Sequence, residues 1–181
     1  MQILVLLADG FEETEFVVPV DLWRRAGFKV TVASVSGADV VEGGHGIKIL
    51  SDVALSKLEP TDFDGVFLPG GSVGVQNLKA SAAVENTICC LNDDNKWVLA
   101  ICAAPTVLSK ARILVDRKAT CFPGCEVELD CREFSEDRVV VDGNIITSRG
   151  AGSAEEFALK CIAVIGGAEL AEMVQRQIVA R

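Results

Sequence analysis

Histidine occurs once in this sequence, at position 45, and positive charge is scarce: 17 lysines and arginines face 26 aspartates and glutamates, a net charge of −9. Any cysteine–histidine dyad must therefore use His45, whose flanking glycines 43, 44 and 46 read as an exposed turn between two short extended pieces. The acidic balance makes nucleic acid and anionic membrane poor partners, and no Lys/Arg cluster is placed to track phosphates. No apolar run is long enough to span a bilayer. Met1 leads straight into Gln2–Leu7 with no basic leader, so a cytoplasmic protein is expected. Repeats, linkers and low-complexity runs are missing too, which leaves one domain over residues 1–181.

Two nucleotide signatures are also lacking. Gly70-Gly71-Ser72 is not followed by the Lys-Ser/Thr pair of a phosphate loop, and Asp9-Gly10-Phe11-Glu12 does not carry the dinucleotide fingerprint. Seven cysteines without a leader peptide point to reduced thiols, and the odd number leaves at least one unpaired. Cys121, Cys125 and Cys131 lack the second ligand pair with which structural zinc sites announce themselves, so neither metal nor cofactor is expected.

What is present alternates between two periods. Apolar runs at Ile3–Leu7, Phe28–Val35, Phe63–Leu68 and Trp97–Ile101 read as buried strands. Helical spacing follows the first from about Phe16 to a glycine stop at 27, with Pro19 in or near the opening turn or kinking the helix, and recurs over 73–78, 81–91, 154–165 and 168–179. Ile47 to Val53 reads as an excursion at the sheet edge, Ala119 as a short strand, and Asp142-Gly143 as the turn of a hairpin between 138–141 and 144–147. The alternation predicts an α/β fold, a doubly wound and mostly parallel sheet with helices on both faces. Ligands in such sheets gather outside the carboxyl ends of strands.

Three features converge there. Cys102 ends the run Trp97–Ile101 and is followed by Ala103, Ala104 and Pro105, small residues for a tight turn and a proline suited to the first helical turn. A thiol at a helix start is expected to fall below its free value of about 8.5, although a free cysteine is also among the most buried residue types. Gly70 and Gly71 let backbone approach a ligand and could aim N–H groups at an oxyanion, or simply make a turn. Glu12 and Glu13 complement the dipole of the first helix, whereas the apolar residues after Glu15 suggest that it points inward, where a neutral carboxyl can donate to a thiolate.

The segments LLADGFEETE, PVDLWRRAGFKVTVA, FLPGGSVGVQNL, AICAAPTVL and TSRGAGSAEEFAL, in that order over nearly the whole chain, resemble the ThiJ/PfpI superfamily and, within it, the subfamily of the parkinsonism-associated deglycase. The resemblance implies a flavodoxin-like sandwich that forms homodimers. It puts the nucleophilic, oxidisable cysteine on Cys102, the protonated glutamate on Glu15 and the oxyanion contacts on Gly70, Gly71 and the Ala103 amide. It also implies an anion pocket at the dimer boundary, with Arg25 at one position and His45 where relatives have a second arginine. This chain departs in having Phe122 where many relatives place a histidine, Ala103 where the peptidase branch has one, and Gly43 and Leu50 at the peripheral cysteine positions. Cys121 is either a second, resolving thiol or a packed one.

The expected activity is cofactor-free conversion of small aldehyde substrates, α-oxoaldehydes such as methylglyoxal, to hydroxy acids, or removal of the same groups from glycated protein or nucleotide. An oxidative-stress sensor or redox-regulated chaperone acting through Cys102 is the alternative, with a thiamine-related role a minor one carried by the ThiJ name.

Overall fold

A computed structural model describes residues 1–180. In chain order its elements are β1 (Gln2–Leu7), α1 (Glu13–Arg25), β2 (Lys29–Ser34), β3 (Val40–Glu42), β4 (Lys48–Leu50), β5 (Val53–Ala54), β6 (Gly65–Leu68), α2 (Ser72–Ala80), α3 (Ala82–Asp93), β7 (Trp97–Ile101), α4 (Pro105–Lys110), β8 (Lys118–Ala119), β9 (Glu133–Phe134), β10 (Val139–Asp142), β11 (Ile145–Ser148), α5 (Ala154–Gly166) and α6 (Ala168–Gln177).

Seven strands form one sheet in the order β10-β11-β7-β6-β1-β2-β5. Its pairings are parallel except β10 with β11, the expected hairpin. Alternation along β1 shows why both faces must be covered. Ile3, Val5 and Leu7 pack with Trp23 of α1 and Phe157 of α5, while Leu4 and Leu6 pack with Ile88 of α3 and Leu108 of α4. A strand buried on both sides has no polar face to show, which is why its sequence is an unbroken apolar run. Trp23 knits one layer together: its ring lies 4.9 Å from Phe67 and 6.1 Å from Phe157, and its indole N–H donates to the Ala158 carbonyl at 3.2 Å.

The structure refines the sequence reading in three places and corrects it in the first. Residues 47–53 are not one edge excursion: β4 pairs antiparallel with β3 in a separate ribbon, and only β5 joins the main sheet, beside β2. The ribbon buries Val41 while exposing Val40 and Glu42, an alternation that suits a one-sided flap and not a doubly covered sheet. The strand at Ala119 pairs with β9 outside the main sheet. Pro19 lies inside α1 and not in its opening turn, so the Glu15 carbonyl loses its usual helical donor.

Among the described residues no helix is long and apolar enough to cross a membrane.

Candidate active site

β7 lies near the middle of the sheet, and the chain leaves it through a turn that few side-chain-bearing residues adopt. Cys102 has φ of +66°, the left-handed region, held by its N–H on the Ser148 carbonyl at 2.9 Å and by the Phe122 N–H on its own carbonyl at 2.8 Å. Pro105 then opens α4 as the sequence predicts. The turn lifts the half-buried thiol off the strand end and into a cavity of about 770 Å³.

Glu15 reaches the same point from α1. Glu12 caps that helix by accepting the Glu15 N–H at 2.6 Å, which fixes the first turn and aims the Glu15 side chain inward. Its carboxyl is only 1 % exposed, accepts the Gly70 N–H at 3.0 Å, and is hydrogen-bonded to the Cys102 thiol and the Ala151 amide. The Gly-Gly turn after β6 completes the junction. A β-carbon on Gly70 would collide with Glu15 Oε2 and lie 2.6 Å from Cys102 Cβ; one on Gly71, whose φ is +98°, would lie 2.6 Å from the Glu12 nitrogen. Only glycine fits either place. The N–H groups of Gly71 and Ala103 both bond the Cys102 sulfur, so two donors already face the atom that carries the charge of a thiolate.

Burial raises the Glu15 carboxyl to about 7, against the pull of its bonds to Cys102, Gly70 and Ala151. The thiol departs from the sequence expectation. Burial, followed by the charge and the hydrogen bond of Glu15, pushes it up, and the Ala103 and Gly71 amides recover only part. A helix as short as α4 does not outweigh that desolvation. The two groups share protons as a unit, and an ionised Glu15 does not coexist with a Cys102 thiolate; a thiolate here requires the proton to reside on Glu15.

The cavity walls come from 10–12, the ribbon turn at Gly44 and His45, α2 from Ser72 to Lys79, and the segment from Phe122 to Glu128. Glu13, assigned by sequence to the helix dipole, does more. It is buried and accepts both the backbone N–H of His45 at 2.6 Å and its ring Nδ1 at 2.7 Å. Nothing local in the sequence links positions 13 and 45.

Within one chain Arg25 and His45 do not come together. Arg25 stands at the far end of α1, paired with Asp21 at 2.8 Å, and does not line this cavity. Cys121 is fully buried, its thiol pushed up to about 12 chiefly by burial, and it does not reach the cavity; Cys125, which the sequence reading did not single out, does. Glu12, Glu13 and His45 bring donor atoms within 4.8 Å of one another, but both carboxylates are already committed, to the Glu15 N–H and to His45.

A sequence model of the DJ-1/PfpI family matches residues 1–164. The Parkinson disease protein 7 homolog of Danio rerio is 40% identical over 180 residues, covering 97% of this chain and 95% of that one. A protein of Thermococcus kodakarensis named as a deglycase is 34% identical over 157 residues, 84% of this chain and 92% of its own. Among solved structures, oxidized DJ-1 of Toxoplasma gondii superposes with a TM-score of 0.95 at 34% identity, covering 99% of this chain and 98% of that one.

Proposed function

The chain belongs to the DJ-1/PfpI family, and from that premise we propose that it is a cofactor-free enzyme of small α-oxoaldehydes and of the adducts they form. One observation carries the reading: a buried carboxyl that titrates near neutrality is hydrogen-bonded to a half-exposed thiol beneath an open cavity, with two amides on the sulfur. The resemblance of the chain to a protein named as a deglycase supports the same chemistry on carried adducts.

The chemistry follows from one shared proton. Transfer of the thiol proton to Glu15 leaves a sulfur anion without adding charge to the pocket. Sγ attacks the aldehyde carbon, the carbonyl electron pair moves to oxygen beneath the Gly71 and Ala103 amides, and Glu15 returns the proton to give a hemithioacetal. Ionised again, Glu15 removes the proton on that carbon and delivers it to the adjacent one while the hydroxyl proton passes to the neighbouring carbonyl oxygen, which isomerises the adduct to a thioester. Water then releases a hydroxy acid and frees Cys102. On an aminocarbinol or hemithioacetal carried by protein or nucleotide, Sγ takes the place of the carrier's amine or thiol, which leaves with the proton held by Glu15, and the hemithioacetal follows the same route.

Turnover of methylglyoxal to lactate by the purified chain tests this. Cys102→Ser is expected to abolish lactate formation, and Glu15→Gln to slow it by about 10²–10⁴-fold, the range for loss of a proton-transfer group. Undiminished lactate production in either variant removes that residue from the mechanism. A second reading draws on the same two amides, which would also hold a sulfur oxidised to sulfinate. Intact-mass measurement after mild peroxide tests it: a stable gain of two oxygens at Cys102 together with negligible turnover favours redox sensing.

A further inference from the structure

We propose that Glu13 and His45 form a second acid–base pair in the cavity, in which His45 Nε2 takes the proton of the water that releases product from Cys102. The inference rests on the thioester route above and adds to it the base that its last step needs.

The imidazole is fixed at two points by one carboxylate. Glu13 Oε1 accepts the backbone N–H of His45 at 2.6 Å and Oε2 lies 2.7 Å from Nδ1, with the Glu13 side chain 7 % exposed and the imidazole 75 % exposed. A proton on Nδ1 directed at a carboxylate leaves the lone pair of neutral imidazole on Nε2, away from Glu13. His45 lines the same cavity as Cys102 and faces solvent, so a proton collected there can leave.

The other carboxylates of the cavity are committed. Glu15 is half of the thiol pair, Glu12 accepts the Glu15 N–H, and Glu128 is ion-paired with Lys79 at 2.6 Å. Phe122 offers no base, and the Cys125 thiol is raised by burial. The charges around His45 favour the role. Burial would raise Glu13, but its bonds from His45 keep it below the usual carboxylate value; His45 is raised by that hydrogen bond, by the Glu13 charge and by that of Glu12. On the ribbon, Glu42 and Lys48 satisfy each other at 3.4 Å.

In the step itself, the water oxygen bonds to the thioester carbon and its proton passes to Nε2. The carbon–sulfur bond breaks with its electron pair returning to Cys102, the sulfur takes up one proton so that the Cys102–Glu15 pair is restored, and the imidazolium gives its proton to solvent. Glu13 touches no reacting atom and is a positioning residue.

The test is rapid-quench intact-mass kinetics of the full chain with methylglyoxal. His45→Gln is expected to form the Cys102 adduct at the wild-type rate but to turn over about tenfold or more slowly, so that the adduct accumulates. Free imidazole should restore turnover in His45→Ala, and Glu13→Gln should move the pH midpoint of kcat downward by removing the anion that raises His45. Wild-type turnover in His45→Gln, or adduct formation and turnover falling together with no rescue by imidazole, overturns the pair while leaving Cys102 and Glu15 in place. Absence of Cys102-dependent turnover in the wild type removes the thioester route, and this inference with it.

Discussion

A left-handed cysteine is costly in a way that a left-handed glycine is not, because its β-carbon crowds the backbone by roughly 1 kcal/mol or more. At φ of +66°, Cys102 holds its sulfur away from the strand and against Glu15 and two amides, the geometry on which the proposed chemistry depends. Glu15 carries the larger cost. Its carboxyl titrates at about 7 against an ordinary 4.5, so its contribution to stability is fully present below pH 4.5 and is lost as pH rises through 7. Two to three pH units correspond to about 3 kcal/mol. Glu15→Gln, which does not ionise, should therefore gain on the wild type by about that amount between pH 4 and pH 8. Urea unfolding at the two pH values measures it, and a difference that does not change with pH excludes the burial account. Gly71→Ala has no such pH dependence: with φ of +98° and the Gly10 carbonyl in the way, it should destabilise at every pH and distort the Glu12 cap. Cys102, Glu15 and the two glycines were legible because each sits beside a strand or helix end that its own neighbours announce. Glu13 was not, since its partner lies 32 positions away and its local setting already had a sufficient explanation.

At the scale of elements, α1 supports the site at one end and the core at the other. Its first turn holds Glu12, Glu13 and Glu15, and Trp23, two turns further on, is fully buried against Phe67 and Phe157. Trp23→Ala should cost about 3–5 kcal/mol in chemical denaturation, the range for deleting a large buried ring. In the fraction that remains folded, Cys102 should alkylate with an unchanged pH profile; a shifted profile shows that the core end of α1 sets the site. The strands of the main sheet were readable because burial on both faces forces an apolar run. Of the β3–β4 ribbon, the turn between two short extended pieces was readable but the place of the ribbon outside the main sheet was not. Its three-residue strands are too short for a period to show, and their placement depends on contacts between distant loops, the Gly10 N–H on the Glu42 carbonyl at 2.8 Å and the Gly44 N–H on the Phe11 carbonyl at 2.8 Å. Strand order is hidden for the same reason, since a run states that a strand is buried and not which neighbour it has.

For the whole molecule, the ribbon also presents apolar surface. Val40, Ile47 and Leu50 are exposed, Leu50 at 72 %, on an element whose edges are paired only with each other. Exposed apolar residues gathered on one small element mark an interaction surface more often than chance solvation. We expect the chain to self-associate as a homodimer through the face that carries Val40 and Leu50. Leu50→Lys should then raise the dissociation constant by about tenfold or more in sedimentation velocity, because a charge would be buried without a partner. Salt gives an independent check. Each chain carries a net charge of −9, so two copies repel at long range, and screening that repulsion should strengthen association as ionic strength rises. An interface held mainly by ion pairs would weaken under the same change. Dissociation by added salt would therefore exclude an apolar contact at the ribbon.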